Sequence, residues 1–128
     1  MKPILKWPTC FMLVVLFFNA CKKEYSCEGC LTFGEPPIAD AGQDQSITLP
    51  KDSALLDGSA SADPDGSIVE YKWSKVAGPP SSSITNLSSA QTMTTGLEQG
   101  IYQFELVVTD DDGFLDKDTV QVTVLSSA

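Results

Sequence analysis

Five aspartates stand in two short runs and offer oxygen donors. Asp63 and Asp65 lie in ADPDGS, and Asp110, Asp111 and Asp112 lie in VTDDDG. Carboxylates brought close together repel unless water separates them or a cation bridges them. Hard oxygen donors on flexible loops suit calcium better than a transition metal. The competing explanation is turn chemistry, because Asp-Gly pairs favour turns and Asp side chains cap exposed backbone groups. A helix-loop-helix calcium loop does not fit. Placing Asp63, Asp65 and Gly66 at loop positions 3, 5 and 6 puts Ser61 at position 1 and Lys72 where a bidentate Glu is required.

The second candidate is Cys27-Glu28-Gly29-Cys30. A CxxC in an exported chain can close a tight disulfide, hold metal or act as a redox pair. Zinc needs four ligands, and without histidine the pair supplies only two thiolates. A thioredoxin-like role needs a βαβ context that the neighbouring residues do not offer. A structural disulfide is the expectation, and a small thiol-redox protein is the alternative.

The residue types that are missing narrow the chemistry further. The chain has no histidine and no arginine. That removes Ser-His and Cys-His nucleophile pairs and bidentate guanidinium clamps. No enzyme is expected; a glycosidase using carboxylates alone would need two acids flanking a cleft.

Met1 to Ala20 reads as an export leader. Lys2 and Lys6 precede the unbroken apolar run Cys10–Phe18, which is shorter than the ~20 residues that span a bilayer. Phe18-Asn19-Ala20-Cys21 follows and resembles the lipobox of bacterial lipoproteins, in which the cysteine is acylated. Cys21 is therefore the expected lipidation site. Residues 21–35 form a polar, Gly/Pro-containing tether. Lys22-Lys23-Glu24 resembles the charged signal that exports Bacteroidetes lipoproteins to the outer leaflet. A lipid-anchored outer-membrane location is expected, with the periplasmic and the surface-exposed side both open. Losing Lys2 and Lys6 leaves six lysines against seventeen acids, a net charge of −11. Such a surface lacks the basic footprint that nucleic acid requires. The membrane contact would then be the lipid itself.

The elements that must position these groups are short strands separated by turn residues. A broken first strand is expected over Ile38–Ala41 and Gln45–Leu49, and a second over Ser53–Leu56. The third, Ile68–Val76, would turn Val69, Tyr71 and Trp73 to one face. Short strands follow at Ser82–Thr85 and Gln91–Thr95. Ile101–Thr109 alternates most clearly, with Tyr102, Phe104, Leu106 and Val108 inward. Thr119–Leu125 closes the set with Val120, Val122 and Val124 inward. Seven strands without a credible helix give an all-β, seven-stranded antiparallel immunoglobulin-like sandwich over residues 36–125. Leu97 to Tyr102 has the spacing of a tyrosine corner.

Three segments carry a family resemblance: PPIADAG at Pro36, LDGSASADPDGSIVEYKW at Leu56 and GLEQGIYQFELVVTDDDG at Gly96. Together they resemble the PKD domain. The W-D-F-G-D-G segment of that family is absent. Trp73 is followed instead by SKVAGPP, similar to the subgroup related to receptor-for-egg-jelly modules. The resemblance implies a non-catalytic role in spacing, adhesion, or protein and polysaccharide contact. It also implies that Asp63, Asp65 and Asp110 are the positions matching calcium ligands of some members.

Two further expectations complete the reading. Asp52-Ser53-Ala54 and Asp118-Thr119-Val120 resemble Bacteroidetes O-glycosylation acceptors, so Ser53 and Thr119 should be exposed. Trp73, Tyr71 and Tyr102 belong to the core, which leaves Tyr25, Phe33 and Phe114 as the aromatics available for sugar stacking. The chain is expected to be either a stand-alone lipoprotein or the leading piece of a larger surface protein.

Overall fold

Alternation at period two lays out residues 34–128, the part that the computed structural model describes. The leader, Cys21, Cys27, Cys30, Tyr25 and Phe33 lie outside the described residues. The strands are β1 (Gln45–Thr48), β2 (Ala54–Asp57), β3 (Ile68–Ala77), β4 (Ser83–Ile84), β5 (Gln91–Thr95), β6 (Gly100–Asp110) and β7 (Leu115–Leu125). They form a four-stranded sheet ordered β1-β7-β6-β3 and a three-stranded sheet ordered β2-β5-β4. Every pairing is antiparallel except β1 with β7, which runs parallel from Gln45↔Val122 to Thr48↔Leu125.

The inward faces of the two sheets meet in a core of Leu56, Trp73, Tyr102, Phe104, Leu106, Val108, Val120, Val122 and Val124, all buried. The alternation of β6 and β7 produces this directly, because successive side chains point to opposite faces. Trp73 donates its indole N–H to Ser89 O at 2.9 Å, so the buried ring leaves no polar atom unmet. Gly58 lets the chain after β2 pass over this region: a Cβ there would lie 2.5 Å from Leu106 Cδ2 and 3.2 Å from Trp73 Cζ2. The tyrosine corner is present, with Tyr102 OH accepting the Glu98 N–H at 2.8 Å and bonding Ser81 Oγ at 3.2 Å.

Three expectations about strands are corrected. Val69 does not share the inward face with Tyr71 and Trp73; it is 62 % exposed. The register of β3 against β6 slips between Ile68 and Glu70, and this bulge turns Ile68 toward the core in place of Val69. Ile38–Ala41 is not half of a strand. Ile38 makes an isolated bridge with Ala62, and the residues after it are held by side chains. Finally, β7 starts at Leu115 rather than Thr119. Its first inward positions are Asp116 and Asp118, whose Oδ2 atoms accept the N–H groups of Ala39 and Ala41, each at 2.8 Å. Two carboxylates thus take the place of ladder bonds for the PPIADAG run.

The candidate functional site at the acidic end

The sheet register brings the two aspartate runs together. Ile68 at the start of β3 pairs with Asp110 at the end of β6. The loop before β3 therefore meets the β6–β7 turn. Asp111 Oδ1 accepts the Ser67 N–H at 3.1 Å, and the Asp111 N–H donates to Ser67 O at 3.1 Å. Gly66 sits where these loops cross. A Cβ there would collide with Asp111 Oδ1 and lie 2.8 Å from Asp63 Oδ2.

The chain enters the domain at the same end. The Glu35 N–H donates to Asp65 Oδ2 at 2.8 Å, and Gly34 packs tightly against the side chain of Asp112. Ile38 and Ala62 exchange backbone bonds of 2.6 and 3.0 Å just beyond. Asp65 and Asp112 thus contact the first of the described residues, Gly34 and Glu35.

Each acid has a distinct role. Asp110 is 1 % exposed, and its Oδ1 accepts the N–H groups of Asp112 at 2.9 Å and Phe114 at 2.7 Å, closing the turn. Its Oδ2 is buried and has no partner. Asp63 Oδ1 accepts the Asp65 N–H at 3.2 Å, while its Oδ2 is likewise buried without a partner. Burial pushes the carboxyl of Asp63 above the usual range, and the charges of Asp65 and Asp110 add to this. Burial also raises Asp112, helped by Asp111, Asp65 and Asp110. Asp111 moves the other way, because the backbone amide of Ser67 favours its charged form.

Turn chemistry therefore accounts for one oxygen of Asp63 and one of Asp110, and leaves the other of each unsatisfied. Such buried orphans are costly and call for a proton, water or cation. Among the described residues, no group of three acidic side chains is already drawn together as a metal centre. Of the three positions named from sequence, Asp63 and Asp110 have a free buried oxygen, whereas Asp65 has already given Oδ2 to Glu35. Oxygen-only donors on two facing loops fit calcium in type, with Asp63 and Asp110 as the residues that would hold it.

Thr119 is exposed and Ser53 is half-buried. Phe114 is 39 % exposed, beside the acidic turn. Sequence reasoning missed the brace between Asp111 and Ser67, whose signal is only a register, and the pins from Asp116 and Asp118, whose acids look like surface charge.

The two facing sheets, the buried Trp73 and the tyrosine corner define an immunoglobulin-like β-sandwich module. Within that class, the family model "K319L-like, PKD domain" matches residues 41–124, and the chain belongs to that family. It is 43 % identical over 89 residues to the human dyslexia-associated protein KIAA0319, covering 70 % of this chain and 8 % of that protein. It is 42 % identical over 93 residues to human low-density lipoprotein receptor-related protein 11, covering 73 % of this chain and 18 % of that one. The chain thus spans a small fraction of the curated relatives it matches. Among solved structures, the PKD domain from KIAA 1837 protein superposes with a TM-score of 0.67 at 40 % identity, covering 74 % of this chain and 92 % of that one. The PKD1 domain of Vibrio cholerae metalloprotease PrtV gives 0.53 at 25 %, covering 71 % and 99 %.

Proposed function

We propose that this is a non-catalytic PKD module that binds calcium at its acidic end and contacts polysaccharide or another surface protein there. The observation behind this reading is the pair of buried, unpartnered oxygens on Asp63 and Asp110, facing loops that also receive the entering chain. A cation bridging them would favour the charged form that burial disfavours at Asp63, and would fix the end of the module to its tether. Phe114 beside the turn would offer an apolar contact.

The module rides on a lipid-anchored tether at the outer membrane, with Cys21 acylated and Cys27 and Cys30 joined in a disulfide. This part rests on residue pattern alone, and the relatives named above are animal proteins. Thr119 is the better placed of the two glycosylation candidates, being exposed on β7. Capture of residues 22–128 by cell-surface polysaccharides in calcium, lost in EDTA, tests the binding role. Release of a Cys21→Ala variant from membranes tests the anchor.

A spacer role is the second reading. The matched human proteins are far longer than this module, so it occupies a small share of each. A spacer shows no capture in either buffer.

A further inference from the structure

A second candidate site lies away from the acidic loops, on the open seam of the sandwich. β1 and β2 are each the outermost strand of their sheet. The seam between them is spanned by the side chain of Gln45, whose Nε2 donates to Leu55 O at 2.6 Å. Beside this bond is a groove of about 430 Å³ lined by Asp40, Gln43, Gln45, Leu55, Asp57 and Ala60, among others.

The groove has a definite chemical character. Its lining includes two carboxylates and two carboxamides, but no cation and no aromatic ring. Asp40 Oδ1 accepts the Gly42 N–H at 2.8 Å, which fixes that carboxylate. Asp57 Oδ1 accepts from Ser59 N at 2.9 Å and Ser59 Oγ at 2.5 Å. These bonds, with one from Gln91, hold Asp57 below the usual carboxylate range. Among the described residues the one ion pair is Lys117 with Glu105, so neither groove acid has a lysine partner. Leu55 supplies an apolar wall, 44 % exposed. In register beside it on β5 is Met93, also exposed.

We propose that this groove receives the side chain of a lysine presented by a partner polypeptide. The ammonium would lie between Asp40 and Asp57, and the carbon stem against Leu55. Oδ1 of each carboxylate is met by nearby backbone or hydroxyl donors, which fixes the two acceptors in place. An ammonium with three rotatable donors suits single acceptors approaching from different sides. A sugar would lack a ring to stack on. The net charge of −9 would draw in a basic partner.

Residues 34–128 have their own hydrophobic core, and the similar PKD domain from KIAA 1837 protein was solved as a separate domain, so this fragment can be used alone. Nα-acetyl-lysine methylamide is titrated into it and followed by amide NMR shifts. Saturable shifts are expected at Gln43, Gln45, Leu55 and Ala60, with a Kd in the millimolar range. The Nε-acetylated compound, which has no charge, should bind at least about tenfold more weakly, as should the lysine compound to a D40N/D57N variant that keeps the capping oxygens. Shifts that do not saturate, or equal binding of the acetylated compound to the wild-type domain, would overturn the proposal. So would shifts at these amides from a neutral oligosaccharide without any from the lysine compound. The neutral-ligand comparison stands even if the variant fails to fold.

Discussion

Asp118 Oδ2 accepts the backbone N–H of Ala41 at 2.8 Å, joining residues 77 apart in sequence. Asp116 does the same for Ala39. The inward face of β7 thus starts with two acids and ends with Val120, Val122 and Val124. The acids hold the entering chain across the sandwich, and the valines fill its centre.

Asp118→Ala should therefore destabilise the domain by about 1–3 kcal/mol, because a half-buried amide loses a charged acceptor. Urea unfolding of the variant measures this. Lys72→Ala, an exposed position with no bond to lose, should stay within about 0.5 kcal/mol of the parent.

Tyr102→Phe removes the hydroxyl that meets Glu98 and Ser81 while keeping the ring stacked near Phe104, with centroids 6.1 Å apart. A loss of about 1–2 kcal/mol is expected. The Glu98 amide should exchange with deuterium faster than in the parent, which hydrogen exchange reads directly.

Gly58→Ala should cost about 1–3 kcal/mol, because the new methyl overlaps Leu106 and crowds Trp73. A Leu106→Ala background should recover part of that cost. Calorimetric melting of the single and double variants shows whether the two changes are coupled.

These sites differ in how far sequence reveals them. The alternation of β6 and β7 is unbroken from Tyr102 to Val108 and from Val120 to Val124, so the core and the tyrosine corner could be read directly. Val69 could not, since a bulge shifts the phase without leaving a mark in residue type. The start of β7 was hidden because Asp116 and Asp118 face inward but look like turn residues. The convergence of Asp63 with Asp110 follows from the pairing of Ile68 with Asp110. The free oxygens depend on which backbone amides each carboxylate meets, and residue type does not reveal that. The Asp40–Asp57 groove joins segments from both sheets, so no local motif marks it.

The acidic end also sets the pH response. Asp63 and Asp112 have raised values in the folded domain, so the native state takes up their protons before the unfolded chain does. Stability should rise as pH falls from neutral through those raised values. Asp57 and Asp111 are lowered, so their contribution is present above the unfolded value and is lost as pH falls through their folded values. Melting in EDTA should therefore show a maximum on the acid side of neutral. Asp63→Asn should flatten the rise on that side. Melting temperature against pH, without divalent ions, checks both limbs.

The most direct test of the account is the melting temperature of residues 34–128 in calcium and in EDTA, for the parent and for Asp63→Asn. Calcium at ten times its Kd should add about 1.4 kcal/mol, or roughly 5–10 °C for a domain of this size. The variant should lose most of that shift, and magnesium should give little of it, being less tolerant of irregular loop donors. An unchanged melting temperature for the parent in millimolar calcium would contradict the account and leave the acidic end as turn chemistry alone.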